Sequence, residues 1–189
     1  MSRSYRIAIR EHLRRVLRAS DRVSAQLEIL EVLPPERMAG LLAEELERRG
    51  FREEGGNVVR DQDGVTVTVD PRTGVVTVTA EGNREIELQK DKEGRAYDDA
   101  GPGAASVREQ LREQAKRELE KAAGSETARL QSEVTDRLER QLAGVRRELD
   151  DAVNRVTGEA LKEKARSLGE IKEMTEDPQT GSLTIVVEV

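Results

Sequence analysis

Apolar residues and arginines alternate at the start of the chain. In SYRIAIREHLRRVLRASD, Tyr5, Ile7, Ile9, Leu13 and Leu17 hold odd positions while Arg6, Arg10, Arg14 and Arg18 hold even ones, the period-two pattern of a half-buried strand. Leu13, Val16 and Leu17 also satisfy a helical i, i+3, i+4 face, so a short helix from residue 11 competes; the strand is the preferred reading. RVSAQLEILEVL alternates again through Val23, Ala25, Leu27 and Ile29, and the polar ASDR before it predicts a hairpin turn between two strands. PPERMAGLLAEELERRG then opens with proline and closes with Gly50, placing Met38, Leu41, Leu42 and Leu46 on one stripe of a helix over residues 35–49.

From Phe51 to Leu88 the period returns to two. NVV, GVTVTV, VVTVTA and EIEL, punctuated by DQDG, DPRTG and EGN, predict an antiparallel meander. With Val69 facing Val76, Val67 faces Val78 and Val65 faces Ala80, while Thr66, Thr68, Thr77 and Thr79 turn to the other side. A sheet with one apolar face needs a covering helix, and the helix over 35–49 is the first candidate.

DKEGRAYDDAGPGAAS has the composition of a linker, ending in a capping box formed by Ser106 and Glu109. A proline-free stretch to residue 168 follows. Val107, Leu111, Ala115 and Leu119 mark one stripe; Leu130, Val134, Leu138, Leu142, Val145, Leu149, Val153 and Val156 mark another, with the mixed spacings of three and four found in coiled coils. Gly124 and Ser125 are the one plausible break. A turn there gives an antiparallel helical hairpin; no turn gives a rod of about 65 residues, on the order of 95 Å. The hairpin is preferred, because a lone rod would leave its apolar stripe wet. The last segment, GEIKEMTEDPQTGSLTIVVEV, predicts a strand hairpin turned at a second D-P-x-T-G, with Leu183, Ile185, Val187 and Val189 on one side.

The fold class expected is α+β: a twisted antiparallel sheet with helices on one face and an inserted, projecting helical hairpin. The sheet domain would begin with residues 1–100, be interrupted by a helical arm over 101–148, and be completed by a return helix and strand hairpin over 149–189.

Composition supports an extended form. Across 189 residues, charged side chains make up 37% and aromatic ones 2%, with a mean hydropathy of -0.69, so much of the chain must be surface. The absence of cysteine excludes disulfides and thiolate metal sites, and with no signal-like start and no long apolar run a cytoplasmic location without membrane contact is expected. The net charge of -6 hides a gradient: residues 1–22 carry seven arginines against Glu11 and Asp21, whereas residues 23–103 are strongly acidic. Neutralisation of the basic ribbon by the chain's own acidic body is the commoner arrangement, and an anionic partner the alternative.

Little in the chain points to catalysis. His12 is the one histidine, so no triad or zinc site can be assembled. Asp61, Asp63 and Gly64 resemble the middle of a calcium loop, but Val59 stands where a ligand is needed and Asp70 where the bidentate glutamate belongs, which favours a plain turn. No glycine-rich phosphate loop is present. Glu44 with Glu45 and Asp98 with Asp99 lack the apolar cleft that paired carboxylates need. No cofactor is expected. The arginine ladder, about 13 Å between successive members on a strand, could meet phosphates without sequence preference, although aromatic interleaving is missing.

QLEILEVLPPERMAGLLAEELERRGF and AVNRVTGEALKEKARSLGEIKEMTEDPQTGSLTIVVEV together resemble a family of small cyanobacterial and plastid proteins and accessory domains of bacterial FtsH ternary systems, with LERRGF and AVNRVT the most specific parts. The resemblance implies a setting with an FtsH-like AAA+ ATPase and von Willebrand A and MoxR-type proteins, in conflict or stress responses. It supplies no functional residue. The function expected is therefore a non-enzymatic adaptor in an ATPase-linked assembly, its partner another protein such as an AAA+ ATPase or a von Willebrand A protein, with a homo-oligomer through the helical arm also open. Candidate partner-binding residues are Arg6, Arg10, Arg14, Arg18, Leu111, Leu119, Leu130, Val134 and Leu138. The alternative is a non-specific nucleic-acid or polyanion binder using the arginine strand.

Overall fold

The computed structural model describes residues 4–97, 103–177 and 182–188. The elements are β1 (Ser4–Gln26), α1 (Pro35–Arg48), β2 (Arg52–Glu54), β3 (Asn57–Gln62), β4 (Val65–Val69), β5 (Val75–Tyr97), α2 (Ala104–Leu168), β6 (Glu170–Asp177) and β7 (Ser182–Glu188). Five strands form one antiparallel sheet in the order β1-β5-β4-β3-β2, and β6 and β7 form a second. The α+β class is as expected. The chain divides into two compact units, residues 1–20 with 81–135, and residues 21–80 with 136–189.

In the first unit, β1 and β5 make a ribbon with one covered side. Ile7, Ala96, Val107 and Leu111 form a cluster with Ile9 against it, and Leu17, Ala19 and Ile86 are buried further along. Strand, not helix, occupies residues 11–19: Leu17 is 4% exposed and Val16 56%, as alternation requires and a shared helical face would not allow. The turns expected at ASDR and EGN do not form, and Asp91–Tyr97 of the supposed linker continues β5. Gly82 and Gly94 explain the misreading. A Cβ on Gly82 would lie 2.7 Å from Val134 Cγ2, and one on Gly94 3.0 Å from Leu111 Cδ1. Both glycines are recesses that let α2 approach the ribbon, the other meaning of glycine inside a strand.

The helical arm is not a hairpin: α2 runs unbroken through Gly124. The neighbouring hydroxyls bond back into the helix, Ser125 Oγ donating to Lys121 O at 3.1 Å and Thr127 Oγ1 to Ala123 O at 2.9 Å. One interior glycine costs only about 1 kcal/mol. The premise behind the hairpin also fails, since the stripe of α2 is buried within each unit without a second helical arm. The helix begins at Ala104, so Ser106 lies within its first turn and is not the cap.

In the second unit the meander has the expected register: Val69 opposite Val76, Val67 opposite Val78, Val65 opposite Ala80. All six are buried, and Thr66, Thr68, Thr77 and Thr79 face the other way. α1 packs against β2 and β3 through Met38, Leu42 and Leu46. Its end explains LERRGF. Gly50 has φ +86°, Phe51 N–H donates to Leu46 O at 3.1 Å and Gly50 N–H to Glu47 O at 2.9 Å, the paired bonds of a Schellman motif, with Phe51 buried beyond it.

Two tight turns shape the meander. Asp63 and Gly64, with φ +52° and +74°, make the two-residue turn between β3 and β4. In DPRTG, Asp70 Oδ1 accepts from Arg72 N–H at 2.9 Å, Thr73 Oγ1 donates to Asp70 Oδ2 at 2.7 Å, and Gly74 takes φ +72°. The second D-P-x-T-G spans residues 177–181, of which 178–181 lie outside the described residues. The strands flanking it do pair as a hairpin, but as a separate two-stranded sheet; the expectation that they complete the main sheet is corrected. Ile171 and Met174 share a face despite their odd spacing, because the register shifts between Ile171 and Glu173, leaving Lys172 as a bulge.

Candidate functional site

Three regions carry the side chains from which a site could be built. The first is the arginine ladder on the wet side of the β1/β5 ribbon. Antiparallel pairing brings odd β5 positions beside even β1 positions, and those β5 residues are acidic. Arg10 Nε donates to Asp91 at 2.7 Å, Arg14 pairs with Glu85 and Arg6 with Glu93; Arg18 is exposed further along. The hydrogen bond from Arg10 holds the Asp91 carboxyl below its ordinary value. Three of the four ladder arginines are thus answered by the chain's own acidic strand, which weakens the case for a polyanion site. Such exposed pairs contribute about 0–1 kcal/mol each.

The second region is the stripe of α2. Leu111, Leu119, Leu130, Val134 and Leu138 are all buried, Val134 completely. Leu111 fills the recess at Gly94, while Val134 and Leu130 fill the one at Gly82. These positions, nominated as a docking stripe, are core positions of the chain's own units.

The third region was not foreseen. In the second unit, the end of β1, the start of β5 and the later part of α2 enclose a groove of about 770 Å³. Val76, Val78, Val145 and Leu149 are buried lining residues, Leu142 and Val153 are half-buried, and Val23 is 42% exposed. Gln26, Glu28, Arg146, Asp150 and Asn154 add polar groups. No sequence signal marked it: the step of three from Leu142 to Val145 recurs from Val153 to Val156 and reads equally well as buried helical stripe.

An ionic cluster braces the same unit. Arg60 lies on the dry face of β3, in register with Val67, and its Nη1 and Nη2 each donate to Glu148 at 2.6 Å. Its guanidinium sits 4.4 Å from the centre of the Phe51 ring, a cation–π contact. Arg60 Nη1 also donates to Arg49 O, and Arg49 Nη1 to Glu148 O, each at 3.1 Å. Arg49 Nε reaches Glu45 at 2.8 Å, and Glu45 is 3% exposed. The hydrogen bond from Arg60 keeps the Glu148 carboxyl below its ordinary value. This cluster ties the end of α1 to β3 and α2 and sets each buried charge against an opposite one, although Arg60 Nε is buried without a hydrogen-bond partner.

Asp61, near the end of β3, accepts from Thr66 Oγ1 at 2.6 Å and from Arg52 at 2.7 Å, so both of its carboxylate oxygens are engaged beside the turn. Among the described residues, no cluster of three or more His, Cys, Asp or Glu side chains is arranged to hold a metal ion, and no helix is long and apolar enough to cross a membrane.

No curated protein and no solved structure matches the sequence. Over residues 1–189 the sequence does match the family described as FtsH ternary system domain X5 (fvmX5), and the chain belongs to that family.

Proposed function

We propose that this chain is a non-enzymatic interaction component of an FtsH ternary system, acting in the cytoplasm and holding another protein of that system through the groove of its second unit. The carrying observation is the groove itself: a concave, largely aliphatic surface of about 770 Å³ with polar groups along it. That combination suits an amphipathic segment, whose apolar side is buried against Val145, Leu149 and Val153 while Arg146 and Asp150 fix its orientation. Family membership supports a partner from the same system, with an AAA+ ATPase or a von Willebrand A protein as the partner class. The chain's part is recognition, with no reaction of its own.

Co-expression with the ATPase and the von Willebrand A protein of one system, followed by affinity capture, tests this reading. Capture of one of them is expected, together with its loss on Leu142→Glu or Val153→Glu, both at half-buried lining positions. Failure to capture either protein, or capture indifferent to both substitutions, overturns it.

A further inference from the structure

The two edges of the β6–β7 sheet are unlike. β6 reads E-I-K-E-M-T-E-D, mostly charged, and its ladder is broken by the bulge at Lys172. Charge and a bulge are the two devices that keep an edge strand from pairing further. β7 reads S-L-T-I-V-V-E, rich in β-branched residues, regular, and charged only at Glu188, whose carboxylate pairs with Lys172. Among the described residues, β7 pairs only with β6. A two-stranded sheet alone is marginal in water, and three or more strands with an apolar face are ordinarily needed for stability. Here Ile171, Met174, Leu183, Ile185 and Val187 share a face, and Met174 is 48% exposed.

We infer that β7 pairs antiparallel with β7 of a second copy of this chain, giving a four-stranded sheet in the order β6-β7-β7-β6 about a two-fold axis at Ile185. β7 is self-complementary in that register. Leu183 falls opposite the copy's Val187, Ile185 opposite its own equivalent and Thr184 opposite Val186, so the apolar rows become continuous. Glu188 falls opposite Ser182, so no like charges oppose. A strand selected by charge would need a charged edge to read, and β7 offers none; its own sequence is the complement on hand. The guarded β6 edges then close the assembly at two copies.

The chain has no cysteine, so a single introduced thiol reports the contact. The full chain is expected to sediment as a dimer at about 100 μM. Ile185→Cys should oxidise to a covalent dimer, since equivalent residues on the axis lie within disulfide reach, while Thr175→Cys on β6 stays uncrosslinked. Ile185→Lys should sediment as a monomer, Thr175→Lys as a dimer, and an equimolar mixture of Ile185→Lys and Ile185→Glu should regain the dimer. A monomeric wild type, a dimeric Ile185→Lys, or equal crosslinking of the two cysteine variants overturns the inference.

Discussion

A methyl group on Gly82 would lie 2.7 Å from Val134 Cγ2 and 3.2 Å from Leu130 Cδ1. Val134 is fully buried and its branched side chain has no flexible end to move aside, so Gly82→Ala is expected to destabilise the chain by about 1–3 kcal/mol. At Gly124 nothing lies within 4 Å of the added carbon and φ is not positive. Gly124→Ala should therefore stabilise by up to about 1 kcal/mol. Urea midpoints of the two variants should move in opposite directions; a lower midpoint for Gly124→Ala would mean that the helix does break there. Residue type does not separate these cases. Gly82 and Gly124 were both read as turns, because a glycine chosen for the bulk of a distant neighbour leaves the same local trace as one chosen for its backbone freedom.

Among the elements, those whose alternation is local and uninterrupted were legible. The β4–β5 register followed from Val65 to Ala80, and the end of α1 from Gly50. What resisted was any feature set by an element far along the chain: Ser20, Asp21 and Arg22 look like a turn, yet β1 runs through them, with Ser20 and Arg22 exposed and Asp21 half-buried on the side of Leu17 and Ala19. Arg60 is the sharper instance. It shares the dry parity of Val58, and only Glu148, far away in sequence, makes that tolerable. Removing the carboxylate leaves a guanidinium whose Nε already lacks a partner, so Glu148→Gln is expected to cost about 2 kcal/mol at pH 7, less than a fully buried pair. Because folding depresses this carboxyl, its contribution is complete above its ordinary value of 4.5 and fades as pH falls below it. The stability gap between wild type and Glu148→Gln, measured by urea titration, should therefore narrow between pH 7 and pH 3; a gap that widens on acidification would contradict the pairing.

At the scale of the whole molecule, the charge gradient resolves into β1 arginines answered by β5 carboxylates. The candidate groove was not legible, because it is a space left between elements rather than a property of any one. Its aliphatic lining could be read only as core. The stripe of α2 holds a further consequence. Buried residues recur at Ala115, Leu130, Val145 and Ala160, a repeat of fifteen residues in four steps. That spacing exceeds 3.6 residues per turn, so the stripe drifts in the right-handed sense. Deleting one residue turns everything beyond it by about 100°. Removal of Gly124 would thus swing Leu130 and Val134 away from the Gly82 recess, a loss far greater than any substitution there and readable as loss of cooperative thermal unfolding. The length of this helix is therefore quantised: gain or loss of a whole repeat together with matching strand would keep the stripe against its partners, whereas a single-residue insertion or deletion in its interior would not.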